Sequence, residues 1–208
     1  MARNPVPVED VRAASARAER RRQILDAAKH VFADAGYHGA SINAIIERAE
    51  IARGTFYLYF ESKEAVFGAL LDEAMTELRH RIVRIDTAPG ARAPKDQLHD
   101  SLSSLLTFIV SDRPLATVLL SSSATPDAEA AARLAAFYAE VRSVIALSLE
   151  TGVQIGLLRP CHPQLTAAAL LGLVRGVVEH CVTRATEQPI HDVTRELIDL
   201  ALVGVLAR

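Results

Sequence analysis

Apolar residues recur along this chain at three- and four-residue intervals, and strand-like alternation never lasts long. That rhythm belongs to helices. The first clear stripe, Ile24, Ala28, Val31 and Phe32, predicts a helix from about Arg20 to Ala35, closed by Gly36 in a left-handed cap. Ser41 suits the N-cap of a short helix whose inner face is Ile42, Ile45, Ile46 and Ala49. A tight turn at Glu50 and Ile51 leads to a third helix over roughly Arg53–Phe60. Ser62 caps a fourth, striped by Phe67, Leu70, Leu71, Ala74, Leu78 and Ile82; at about 22 residues it is about 33 Å long. The segment TAPGARAP, residues 87–94, reads as a linker. Further helices are predicted near Lys95–Val110, Leu115–Leu120, Asp127–Thr151, Pro163–Thr186 and Ile190–Ala207, punctuated by Pro114, Pro126, Gly152, Pro160, Pro163 and Pro189. The fold class this implies is all-α, with about nine helices.

Composition agrees with a globular chain. Half of the 208 residues are apolar and 23% are charged. No uninterrupted apolar run approaches the ~20 residues of a membrane span, so no membrane partner is expected. The N-terminus lacks an apolar signal core, which makes a cytoplasmic address the expectation. Cys161 and Cys181 have no metal-ligand or redox spacing, and two free thiols are expected. Neither a metal nor a cofactor is implied. No paired acid/base spacing, activated Ser or Cys motif, or phosphate-cradling glycine loop is present, so an enzyme is not expected.

Charge changes the picture once it is divided. Residues 1–60 carry nine Lys/Arg against seven Asp/Glu, and the rest carry fourteen against eighteen. Within the basic part, Arg12, Arg17, Arg20, Arg21 and Arg22 lead into the first helix. A solvated face and an electrostatic arm along phosphates both fit such a cluster.

The stretch ARGTFYLYFESKE, residues 52–64, holds four aromatics, although aromatics make up only 5% of the chain. On a helical wheel Phe56 and Phe60 share an inward side, while Gly54, Thr55 and Leu58 face the other way. Arg53 and Tyr57 flank one edge, and Tyr59 the other. A small centre with long polar-tipped flanks suits a helix that enters a groove. Gly54 allows close backbone approach, and Thr55 offers a methyl or hydroxyl to a base edge. Tyr57 and Tyr59 would equally suit edge packing of a small bundle; the neighbouring Arg53, Thr55 and Lys63 favour the nucleic-acid reading. Two short helices joined by a tight turn form a helix-turn-helix, whose second helix reads the major groove.

Residues 20–73, with GTFYLYFESKE at their centre, resemble the N-terminal DNA-binding domain of the TetR family of bacterial transcription regulators. The resemblance implies that Ser41 and Asn43 begin the second helix facing phosphate. It also implies that Arg53, Gly54, Thr55, Tyr57 and Tyr59 form the recognition surface, and that Lys63 grips a backbone phosphate. Two positions depart from the family pattern. Glu50 replaces a common turn glycine, so it is either left-handed or part of a different turn. Ala52 replaces a common Ser/Thr cap.

The expected organisation is a flexible basic arm (1–19), a helix-turn-helix domain (20–64), and a ligand-binding and dimerisation domain (65–208). Candidate ligand contacts are His99, Phe108, Arg113, Phe137, Tyr138 and His180, suited to a mostly apolar small-molecule effector. Ala169, Gly172 and Gly176, with Leu197, Leu200 and Gly204 on the apolar last helix, fit either a homodimer interface or an internal core seam. The family resemblance favours the homodimer. The function expected is a repressor released from a palindromic DNA operator by its effector; the alternative is an architectural DNA-binding protein without one.

Overall fold

The computed structural model describes residues 8–82, 85–121, 128–184 and 188–205, with backbone alone at 8–11 and 202–205. Among these residues nine helices follow one another: α1 (Val8–Gly39), α2 (Ile42–Arg48), α3 (Arg53–Tyr57), α4 (Lys63–Arg81), α5 (Pro94–Ser111), α6 (Arg113–Leu120), α7 (Ala128–Gln154), α8 (Pro163–Arg184) and α9 (Ile190–Val205). The all-α fold class stands. The predicted ends at Asp127, Thr186 and Ala207 lie outside the described residues. The chain divides into two compact units between Leu70 and Leu71, within α4.

In the first unit, α1 begins well before the expected Arg20. The described part of the predicted arm is helical from Val8. The expected cap at Gly36 is a different device. Gly36 has φ 67° and ψ 166°, a region essentially reserved for glycine, and it kinks the chain into one further turn that reaches Gly39. The core stacks Ile24, Ala28 and Phe32 of α1 on Ile45 of α2, Phe56 of α3 and Val66, Phe67 and Leu70 of α4, all buried. Three rings pin the kink. Phe32 stacks on Tyr37 at 5.6 Å, and Phe67 meets Phe32 and Tyr37 edge-on at 5.3 and 4.9 Å. Ser62 accepts from the Ala65 amide at 3.1 Å and starts α4, which is 19 residues long, shorter than predicted.

In the second unit α7 packs most extensively on α8, α5 packs on α9, and α6 lies against α8. Asp112 caps α6 by accepting from the Leu115 amide at 3.0 Å, and there the chain bends 96° between α5 and α6. Gly152 was expected to end α7, but the helix runs through it to Gln154. The glycine is present for packing: a Cβ there would lie 2.7 Å from Leu158 Cδ1. The reversal is made instead by Gly156, with φ 74°, after which the Leu157 and Leu158 amides both donate to the Gly152 carbonyl. Among the described residues one helix, α8, carries a window of mean hydropathy 1.5, long and apolar enough to cross a bilayer by length and composition. Uninterrupted apolar runs hide this because Arg175 and Glu179 break them.

Candidate nucleic-acid interface

The helix-turn-helix surface is built on α2 and α3. Ser41 holds an extended backbone and accepts from the Ala44 amide at 3.1 Å, which fixes where α2 begins. Gln23 of α1 donates to the Ala49 carbonyl at 2.6 Å and anchors the far end of α2. Glu50 then adopts φ 52°, so the left-handed alternative for this turn is the one realised. Ala52 caps α3 with no side-chain bond, as its methyl requires.

Phe56 and Phe60 are buried with ring centroids 6.2 Å apart, so they brace α3 from behind. Arg53 and Gly54 are exposed, Tyr57 is 45% exposed, and Thr55 and Tyr59 are half-buried. Arg53 donates to Asn43 Oδ1 at 3.2 Å and lies 5.9 Å from the Tyr57 ring centroid. Asn43, Arg53 and Tyr57 therefore form one polar group across α2 and α3. The helix is shorter than predicted, ending at Tyr57, with Leu58 and Tyr59 in the turn that follows.

Lys63 has a role the sequence did not suggest. Its ammonium donates to the carbonyls of Tyr37 at 2.9 Å and Ala40 at 3.2 Å, and lies 4.3 Å from the Tyr37 ring centroid. It thus closes the turn opened by Gly36. The adjacent Glu64 accepts from the Tyr37 hydroxyl at 2.9 Å. Hydrogen bonds from its own amide at the start of α4, then from Ser62 and Tyr37, hold this carboxyl below its ordinary value.

The six candidate ligand contacts do not converge. Phe137 and Tyr138 pair edge-on at 5.4 Å on α7. His99 of α5 meets His191 of α9 at 4.6 Å, with its Nε2 buried and unpartnered. Phe108 lies beneath the Arg81 guanidinium at 4.2 Å. Arg113 is exposed at the start of α6, and His180 lines an open groove between α8 and α9. One residue is added: Arg175 of α8 donates to the Leu120 carbonyl at 2.8 Å and lies 5.2 Å from the Tyr138 ring centroid. The Tyr138 hydroxyl donates to the Leu119 carbonyl, and burial raises its pKa. An arginine between apolar neighbours on a helix was the one sequence signal for this inward polar group.

Of the expected interface residues, Ala169, Gly172, Gly176 and Leu200 are exposed and Leu197 is buried. Gly204 lies in α9, its surroundings outside the described residues. Gly172, Gly176, His180, Leu197 and Leu200 line the same groove. Cys181 is buried, which pushes its thiol up and disfavours a reactive thiolate.

Residues 24–70 match the family described as bacterial regulatory proteins, tetR family, and residues 91–205 match the tetracyclin repressor-like C-terminal domain. The fatty acid metabolism regulator protein of Bacillus subtilis (strain 168) is 36% identical over 96 residues, covering 46% of this chain and 48% of that protein. The HTH-type transcriptional repressor KstR of Rhodococcus jostii (strain RHA1) is 32% identical over 126 residues, covering 61% and 58%. The match thus spans about half the length of these two relatives. Among solved structures, the regulator FadR of Bacillus subtilis in complex with stearoyl-CoA superposes with a TM-score of 0.74 at 24% identity, covering 88% of this chain and 98% of that one. With both of its domain types matched and the second match alone spanning more than half of its length, the chain belongs to the TetR family of bacterial helix-turn-helix transcription regulators.

Proposed function

We propose that the protein is a homodimeric repressor that leaves a palindromic operator when a small, mostly apolar effector binds among helices α5 to α8. The observation that carries the DNA half of this reading is the surface of exposed Arg53, Gly54 and Tyr57 with half-buried Thr55, braced from behind by buried Phe56 and Phe60. Ser41, Asn43 and Tyr59 border it. The small Gly54 and Thr55 side chains allow the backbone to approach base edges, and Arg53 has the donor geometry for guanine or phosphate. Lys63 keeps one of its three donors for a backbone phosphate, since two go to carbonyls. A single such module reads few base pairs, so selectivity requires two copies on related half-sites.

The dimer is supported by α8. Only 17% of its apolar window is buried, and a Cβ built on Gly172 or Gly176 meets nothing within 4 Å. A second copy would fill that space. For the effector, the aromatic pair of Phe137 and Tyr138 would supply mostly apolar contacts, with the neighbouring Arg175 as a charged anchor. Stearoyl-CoA, held by the similar FadR structure, has that chemistry of a long chain with an anionic head. The signal would travel through α4, whose later half is tied to α7 by the Arg79–Glu140 ion pair and to α5 by Arg81 over Phe108. A switch from 99:1 to 1:99 asks for about 5.5 kcal/mol of differential effector affinity.

Fluorescence anisotropy on duplexes from the region upstream of its own gene, titrated with long-chain acyl-CoA, tests this reading. Release from one sequence but not from random DNA is expected. Equal binding to every duplex and no response to acyl-CoA would favour the effector-free architectural alternative.

A further inference from the structure

The match to the DNA-binding family domain begins at residue 24, yet α1 begins at Val8. Roughly four helical turns therefore precede the start of that match. They are basic on balance: residues 8–23 hold Arg12, Arg17, Arg20, Arg21 and Arg22 against Glu9, Asp10 and Glu19. Along the helix Arg20 donates to Gln23 at 2.7 Å and Arg22 pairs with Glu19.

Ala14, Arg17, Ala18 and Arg21 share one face of the helix. These residues stand at i, i+3, i+4 and i+7, and with Leu58 and Tyr59 they line an open groove of about 430 Å³. The groove wall contains no acid. Alanines at 14 and 18 keep it open. Arg21 is held with its guanidinium 5.4 Å from the Phe60 ring centroid, while exposed Arg17 has no acidic partner among the described residues. Arg17 and Arg21 lie one turn apart, with Cβ atoms ~5–6 Å from each other, a spacing at which two guanidinium groups bracket a phosphate. The opposite wall begins one residue after Tyr57, so the groove continues the reading surface of α3.

We infer that this groove is a second DNA-contacting element, a backbone clamp in which Arg17 and Arg21, with the Tyr59 hydroxyl, hold the duplex beside the base pairs that α3 reads. The inference rests on the proposed DNA-reading role of α3. The occupant is the sugar-phosphate backbone, because guanidinium pairs recognise phosphate oxygens with charge and fixed geometry together. The contact adds affinity and register without base selectivity.

The test uses the full-length chain and a duplex that the wild-type protein selects from a random pool, prepared as a short core and with a few flanking base pairs added at each end. Affinity is measured against salt for wild type, Arg17→Ala, Arg17→Lys and Arg20→Ala, with circular dichroism melts confirming that each variant is folded. Each lost phosphate contact lowers the slope of log affinity against log salt by about 0.9, so a dimer of Arg17→Ala loses about 1.8. Arg17→Ala should also lose the gain that flanking base pairs give wild type, while Arg17→Lys keeps most of the slope and Arg20→Ala leaves both unchanged. Wild-type slope and flank gain in Arg17→Ala would overturn the clamp. The reading of α3 would survive that result if Thr55→Ala still altered base preference. A wild-type chain that binds no duplex at all would overturn both.

Discussion

At the scale of single residues, the turn between α2 and α3 carries a strain that the chain could shed. Glu50 at φ 52° occupies a region that costs an L-residue roughly 1–2 kcal/mol, and its side chain makes no hydrogen bond or ion pair among the described residues. Glycine there removes the strain but gains about 0.4–1 kcal/mol of unfolded-state entropy. Glu50→Gly should therefore raise stability by about 0.5–1 kcal/mol, visible as a higher midpoint in urea. It should also tighten DNA binding, since it removes a negative charge beside the reading surface. A lower midpoint would mean that Glu50 makes a compensating contact. Glu64 predicts a pH effect. Its carboxyl is held below the ordinary 4.5, so its stabilising share is fully present above pH 4.5 and is lost as the pH falls through the depressed folded value. Glu64→Gln should be less stable than wild type at neutral pH, with the gap closing on acidification below pH 4.5. Thermal melts across that range check it; a constant gap would assign the difference to the hydrogen bond from Tyr37 alone.

At the scale of elements, the sequence was legible where one stripe had one partner. The inner faces of α1, α2 and α4 were readable from Ile24, Ile45 and Phe67, because a three-helix core needs each to face the same centre. The placement of Phe56 and Phe60 behind α3 was readable for the same reason. Glycines were harder, because one residue type serves opposite purposes. Gly36 bends the chain through its backbone angle, and Gly152 admits a neighbour through its missing side chain. For Lys63 the sequence carries no sign of its carbonyl partners, because they lie 23 and 26 residues away. The candidate ligand residues scattered because aromatic and histidine side chains in a helical bundle carry no sequence mark of which seam they enter. Gly152 supplies the prediction at this scale. Alanine normally gains about 1 kcal/mol over glycine inside a helix. Here its methyl would press on Leu158 at 2.7 Å from Cδ1 and 2.9 Å from Cγ. Overpacking of this kind costs about 1–3 kcal/mol, so Gly152→Ala should be net destabilising by about 1 kcal/mol. Chemical denaturation measures it, and Gly152→Ala combined with Leu158→Ala should relieve the overpacking part of the loss. A stabilised single variant would show that Leu158 moves aside freely.

At the scale of the whole molecule, the decisive quantity is how many copies meet. The two glycines on the outer face of α8 make this testable in a way that separates assembly from folding. Within one chain, a Cβ at Gly172 or Gly176 meets nothing within 4 Å, so a side chain can leave the backbone there without a clash and should improve α8 by helix propensity. Against a second copy, the same side chains would hold the two helices apart, because small residues at a helix seam are what allow close approach. Leucine at both positions should therefore leave the helical signal and melting of the isolated chain intact or improved. The dimer should weaken by at least tenfold, about 1.4 kcal/mol. Sedimentation equilibrium across a concentration series reads that change directly. Operator affinity should fall with it, since each half-site alone offers a module only the small surface of a single reading head. If the double variant stays dimeric and binds DNA as wild type does, the glycine face is not the seam, and the exposed apolar side chains of Leu147, Ile155 and Leu165 become the surface to test next.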